Sequence, residues 1–269
     1  MELKLKNSKI DKYFEFGTTK IKSLLNEKQF EFEGRTIKYI LETNKKSGDL
    51  IVIFSGIPRP GVRARYNYMR TLKDVKANKL FILDDLGFDE RGGYYLGENK
   101  DFFMERGSID LINKVKNELS IDRTIYCGSS KGGWAALFFG IRDNGSSIVA
   151  GSLQYLMGTF VSKNERMREN LMKYVMGENF TELDVRFLDD LLKNTLEQNS
   201  QNNSDIHLDY SDSEYTYPQY TVHLLEDLKR LGFNFTEDVQ HYKTHEELSL
   251  YFPPFLLNKV NELLEQNVS

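Results

Sequence analysis

Four short, unbroken apolar runs punctuate the first 150 residues: Leu50-Ile-Val-Ile-Phe54, the stretch Lys79-Leu-Phe-Ile-Leu83, then Thr124-Ile-Tyr-Cys127 and Ser147-Ile-Val-Ala150. Runs of this length without polar alternation mark strands covered on both faces, as in a parallel sheet. Between them the periodicity lengthens to that of helices, over 66–77, over 102–119 with Ile109, Ile112, Val115 and Leu119 on one stripe, and over 134–141. Ahead of the first run, 30–33 and 36–41 flank Gly34-Arg35 and read as a hairpin. Strand and helix thus alternate, predicting a mostly parallel central sheet with right-handed crossovers and helices on both faces.

At about Gln154 the texture changes. Helical periodicity over 164–175 and 181–196 leads into the polar tract Glu197-Gln-Asn-Ser-Gln-Asn-Asn-Ser204. The alternation then resumes with a strand over 205–210, a helix over 219–231 stopped by Gly232, a strand over 238–243 and a closing helix over 246–266. The expected organisation is one α/β core in two parts, 1–153 and 205–269, with a helical lid inserted over 154–204.

Composition narrows the field. In 269 residues, 40% hydrophobic and 28% charged side chains suffice for a packed core and exclude a disordered chain. A net charge of −4 supplies no field to gather phosphate backbones, so a nucleic-acid partner is not expected. The one cysteine, Cys127, forms no internal disulfide, and no Cys/His spacing suggests a metal. The N-terminal residues lack the apolar core of a signal peptide, and no apolar run is long enough to span a bilayer. A cytoplasmic protein is expected.

One motif carries chemistry. Gly128-Ser129-Ser130-Lys131-Gly132 fits the G-x-S-x-G nucleophile elbow, with the required buried strand before it and a helix after it. Such a turn lifts the serine hydroxyl above the sheet edge. A serine hydroxyl needs a base to take its proton and an acid to orient that base. Around an elbow of this kind the acid and then the histidine follow the serine in the chain. His207 lies within a predicted strand and His223 within a helix, positions that suit structural roles. His245, in the loop beyond the last predicted strand, is favoured over His241 inside it. For the acid, the loop after the 205–210 strand offers Asp212 and Glu214; Glu214 is preferred because Ser211 stands at a turn position three residues before it. Asp84, Asp85 and Asp89 follow an earlier strand and receive no role. Cys127, on a buried strand, reads as a small hydrophobe, and Trp134, Phe138 and Phe139 as core. An oxyanion would be held by the N–H groups of Lys131 and of Ile57, the latter in the loop after the 50–54 strand. The same loop carries Arg59 and Arg63, either solvated surface charges or a clamp for an anionic substrate such as the phosphates of coenzyme A.

The elbow, the strand order and the serine–acid–histidine order resemble the α/β-hydrolase superfamily over roughly residues 30–262. More narrowly, Phe54-Ser-Gly56, Leu83-Asp-Asp-Leu-Gly87, Gly93-Tyr-Tyr-Leu-Gly97, Cys127-Gly-Ser-Ser-Lys-Gly-Gly133 and His245-Glu-Glu-Leu-Ser-Leu-Tyr-Phe252 resemble bacterial proteins of capsular-polysaccharide biosynthesis and the acetyltransferase component of an accessory secretion system. That resemblance implies a triad of Ser130, Glu214 and His245. It implies O-acetylation of a sugar hydroxyl from acetyl-CoA, with no bound cofactor. The implied partners are an acyl donor and a glycan acceptor, with a homo-oligomer or a polysaccharide-assembly complex as the setting. Transfer to water, giving a carboxylesterase or thioesterase, and a non-catalytic scaffold in a glycan-assembly or secretion complex are the alternatives.

Overall fold

A computed structural model describes residues 26–266, so the expectations for the N-terminal residues and for the last three lie outside the described region. Among the described residues, eight strands form one sheet: β1 (Glu27–Phe32), β2 (Arg35–Glu42), β3 (Asp49–Phe54), β4 (Asn78–Ile82), β5 (Arg123–Ser129), β6 (Ser147–Gly151), β7 (Asp205–Ser211) and β8 (Phe235–Gln240). Their spatial order is β1-β2-β4-β3-β5-β6-β7-β8. The hairpin β1–β2 joins β4 antiparallel, and every pair from β4 through β8 is parallel. The apolar runs became the central strands because each is covered on both faces: all of β4, β6 and nearly all of β3 and β5 is buried.

Helices α1 (Phe103–Leu119), α2 (Lys131–Gly140), α3 (Met157–Lys163), α4 (Glu182–Gln198) and α5 (Val222–Leu231) lie in the connections from β4 to β8, and α6 (Leu248–Glu265) follows the last strand. Two apolar clusters result. The larger holds Trp134, Phe138 and Phe139 of α2 with Leu50, Val52 and Phe54 of β3. The smaller packs Phe252, Leu256 and Val260 of α6 against Ile51, Ile53, Ile125 and Cys127. Alternate residues of one strand thus feed opposite layers, as the pleat requires. Trp134 stacks on Phe138 at 4.5 Å, so the aromatics after the elbow are core.

Three element expectations are corrected. Residues 66–77 form no helix; turns occupy 69–74 between irregular ends. Tertiary anchors override the local pattern there: Tyr68 takes φ +61° with its hydroxyl bonded to Ser129, and buried Lys79 donates to the Leu72 carbonyl. The last strand runs from 235 to 240, three residues earlier than read, because it pairs in register with β7 from Ile206↔Phe235 to Ser211↔Gln240 and ends where its partner ends. Its outward residues are largely exposed, which blurs the apolar signal of an edge strand. The helix read over 164–175 is broken by a π-turn, Arg168–Met172, and stops at Gly177 with φ +91°.

Among the described residues, no helix is long and apolar enough to cross a membrane.

Candidate active site

The strand-to-helix turn is as tight as the motif demands. β5 ends at Ser129, α2 begins at Lys131, and Ser130 between them takes φ +54°, ψ −124°. A positive φ costs a non-glycine residue energy and persists only where surroundings hold it. Here Ser130 N–H donates to the Gly151 carbonyl at 2.8 Å, and Trp134 N–H donates to the Ser130 carbonyl at 3.0 Å. Two glycines make the crossing feasible. A Cβ on Gly128 would stand 2.4 Å from the Gly132 carbonyl oxygen, and one on Gly132 would stand 2.5 Å from that of Phe54. Strand, helix and the loop after β3 therefore meet backbone to backbone.

The Ser130 hydroxyl makes no capping bond and faces His245, whose Nε2 lies 3.0 Å from Oγ. On the other side of the ring, Nδ1 lies 3.0 Å from Glu214 Oε2. An ionised carboxylate only accepts, so it holds the imidazole proton on Nδ1 and leaves the Nε2 lone pair toward the serine. Glu214 is buried, and burial pushes its carboxyl up. Its donors outweigh that: His245 on Oε2, with Thr216 Oγ1 at 2.7 Å and Ser152 Oγ at 2.8 Å on Oε1, hold it below the usual carboxylate range. Ser152 in turn lies 2.7 Å from the Tyr242 hydroxyl. The structure thus brings Ser130, Glu214 and His245 together. The rival pair sits apart from the serine: His241 Nδ1 is 2.8 Å from Asp212 Oδ1 at the surface.

Sequence reasoning passed over the floor of this site. Gln154, fully buried, offers Oε1 to Ser130 Oγ at 3.4 Å and to the Tyr94 hydroxyl at 3.3 Å. Its Nε2 donates to the Ser152 carbonyl at 3.2 Å. Both residues follow β6, the strand beside the elbow strand, and a polar residue at the carboxyl end of a neighbouring strand is the signal that could have found them. Asp84, left without a role, pairs with Lys131 Nζ at 2.6 Å, both side chains wholly buried. It also accepts from the backbone N–H of Gly93 and Tyr95. Burial pulls the Lys131 ammonium below its usual value, with Asp84 opposing. This pair ties the 84–95 loop to the first residue of α2. Asp85 instead bonds Lys38 at 2.6 Å, and Asp89 bonds Arg91.

Ile57 is half-buried against the larger apolar cluster, in the loop that touches Gly132. Arg59 and Arg63 are exposed on the continuation of that loop, Arg63 paired with Glu90. Cys127 is buried, and burial pushes its thiol far up, away from thiolate character. His207 is buried in β7 against Thr236, and His223 is exposed on α5.

No protein-family model matches the chain, and no curated protein matches it in sequence. Solved structures do. The chain is similar to the capsule O-acetyltransferase of Neisseria meningitidis serogroup A, in a histidine-to-alanine mutant complexed with CoA: TM-score 0.72, 19% identity, 88% of this chain and 96% of that one. It is similar to a Glycosylation Associate Protein complex from Streptococcus agalactiae, with TM-score 0.66 and 17% identity over 86% of this chain and 46% of that one. The fluorophosphonate-binding serine hydrolase F of Staphylococcus aureus, substrate bound, follows at TM-score 0.62 and 11% identity over 87% of this chain and 96% of that one. The chain resembles an O-acetyltransferase and serine hydrolases in architecture, and its fold is that of the α/β-hydrolases.

Proposed function

We propose that this chain is a serine acyltransferase that O-acetylates hydroxyls of a bacterial cell-surface or capsular glycan, with acetyl-CoA as donor and no resident cofactor. The observation that carries the reading is the unbroken line Ser130 Oγ to His245 Nε2 to Glu214 Oε2, with both links at 3.0 Å. Ser130 attacks the acyl carbonyl while His245 takes its proton, and Glu214 stabilises the imidazolium that forms. The backbone N–H groups of Lys131 and Ile57 hold the oxyanion. As the tetrahedral species collapses, His245 returns the proton to the departing thiolate, leaving acyl-Ser130 and free CoA. An acceptor hydroxyl then gives its proton to His245 and attacks the ester. This releases the acetylated sugar and restores the serine.

The likeness to the capsule O-acetyltransferase supports the donor and acceptor classes. Arg59 and Arg63 suit the donor's phosphates, and the 154–204 helices, which connect β6 to β7 beside the site, suit a lid that keeps water from the acyl-enzyme. The setting is cytoplasmic, alone or within a glycan-assembly complex. A scaffold would not need an imidazole held between a serine and a buried carboxylate, so the geometry favours an enzyme. The likeness to fluorophosphonate-binding hydrolase F keeps transfer to water as the second reading.

A fluorophosphonate probe is expected to label the chain and to fail on Ser130→Ala; labelling that survives the substitution overturns the nucleophile. Acetyl-CoA consumption that rises on adding a polysaccharide acceptor supports the transferase, and consumption indifferent to acceptor supports the hydrolase.

A further inference from the structure

Between the buried residues Glu214 and Thr216, the side chain of Tyr215 turns outward and is 46% exposed. A lone exposed aromatic is ordinary on a protein surface, and Tyr215 is singled out by where its ring stands. The backbone beneath it is fixed. Its neighbours on both sides are bonded to one another, Thr216 Oγ1 to Glu214 Oε1, and Tyr217 N–H donates to the Glu214 carbonyl. Tyr217 also stacks on Tyr210 of β7. The ring of Tyr215 stands 6.2 Å from the His245 imidazole, centroid to centroid, with the planes tilted by 59°. Glu246, exposed and the next residue after His245, brings a carboxylate to the same side of the imidazole's backbone. Burial first, and then negative charge, push the Tyr215 phenol up to about 12. That phenol stays protonated and remains a hydrogen-bond donor.

We infer that Tyr215 is the platform on which a neutral pyranose acceptor lies, with Glu246 accepting from its hydroxyls. The inference rests on the acyl-serine reading above and names the acceptor subsite of that same centre. An aromatic face packs against the axial C–H surface of a sugar ring, while an adjacent carboxylate accepts from paired hydroxyls. The face stands beside the imidazole that must take the acceptor's proton, so a ring lying on it presents a hydroxyl to Nε2. A phosphate or carboxylate on that ring would meet Glu246 and be repelled. Water and small alcohols gain nothing from the platform, so it biases the acyl-enzyme toward sugars.

The test is a partition experiment. p-Nitrophenyl acetate acylates the enzyme, and p-nitrophenol release reports that step. Methyl β-D-glucopyranoside and methanol then compete for the acyl group, and the ratio of their acetylated products is measured by mass spectrometry. The ratio is independent of how fast the acyl-enzyme forms. In Tyr215→Ala the pyranoside-to-methanol ratio is expected to fall about fivefold, and in Tyr215→Phe, which keeps the face, to stay within about twofold of wild type. Glucose 6-phosphate is expected to be a poorer acceptor than the methyl glucoside, with the gap narrowed in Glu246→Gln. An unchanged ratio in Tyr215→Ala, or a wild type that acetylates no pyranoside while its p-nitrophenol release depends on Ser130, overturns the platform and leaves the acyl-serine reading standing. Equal acetylation of the phosphorylated and neutral sugars overturns the neutral-acceptor assignment. Release that persists in Ser130→Ala overturns the reading beneath both.

Discussion

Two histidine–carboxylate pairs stand side by side beyond the ends of β7 and β8, and their bond lengths barely differ. His241 and Asp212 are 2.8 Å apart, His245 and Glu214 3.0 Å apart. In both, hydrogen bonding holds the carboxyl below its usual range. What separates them is surroundings. The first pair's side chains are 74% and 38% exposed, the second pair's 22% and 0%. In water an ion pair gains little, because solvent screens it and both side chains lose freedom in forming it. In the second pair the carboxylate has no solvent to turn to. Three protein donors fix it, and the far ring nitrogen meets a serine hydroxyl. A close contact alone does not make a proton relay; a buried acceptor and a third partner do.

The largest contrast between the pairs is expected from neutralising each acid. Glu214→Gln removes the acceptor-only partner of Nδ1, so the amide can stabilise the wrong tautomer, and kcat for p-nitrophenyl acetate should fall by about a thousandfold or more. Asp212→Asn should leave kcat within about twofold, since an exposed pair is screened. Steady-state kinetics of the two variants decide the matter, and comparable losses would erase the distinction.

A third carboxylate isolates the role of donors. Asp209, five residues before Glu214 and as deeply buried, has neither oxygen bonded among the described residues. Burial, reinforced by the negative charge of Asp238, pushes it up to about 7. Depth is shared with Glu214; the close donors are missing, and the nearby Gln240 amide opposes the rise without cancelling it. The sign follows from linkage. With a folded-state pKa above its unfolded one, Asp209 keeps its proton in the folded chain while the unfolded chain has released it. Stability therefore falls as pH rises from about 4 to about 7 and levels off above. Asp209→Asn removes that proton from the balance and should make the variant more stable than wild type at pH 8 by up to about 3–4 kcal/mol. Thermal denaturation at pH 5 and pH 8 measures it, and a variant that follows wild type across this interval would show that Asp209 ionises normally.

These contrasts also mark what the sequence could reveal. The apolar runs were legible as central strands because burial on both faces leaves an unmistakable pattern, and the elbow because its strand, glycines and helix are contiguous. The choice of Glu214 over Asp212 rested on turn position alone, and the structure shows what decides it. The two lie two residues apart in one turn, and only the chain's course after Ser211 sends one outward and the other down against Ser152 and Thr216. The roles of Ser152, Gln154 and Asp84 were missed for a related reason. Each matters through a partner distant in sequence: Ser152 meets Glu214, Gln154 meets Ser130 and Asp84 meets Lys131. The edge strand β8 was shifted because its outer face is solvated, so pairing with β7 sets its bounds more than hydrophobicity does.

The smallest effect is expected where proximity in sequence would suggest the most. His241 lies four residues before His245, bears its own carboxylate and sits at the end of a strand where functional side chains gather. If nearness to the site were enough, His241→Ala should disturb the reaction. If burial and a third partner are what count, the imidazole is a solvated side chain whose loss leaves the Ser130–His245–Glu214 contacts intact. Expected values of kcat and kcat/KM then stay within about twofold of wild type from pH 6 to 9, as for most surface substitutions. The pH profile is the stricter readout, because a second base feeding the first would shift its acid limb even where the plateau is unchanged. A displaced limb, or a tenfold loss at any pH in that range, would join the two pairs into one network and undo the separation on which the assignment of His245 rests.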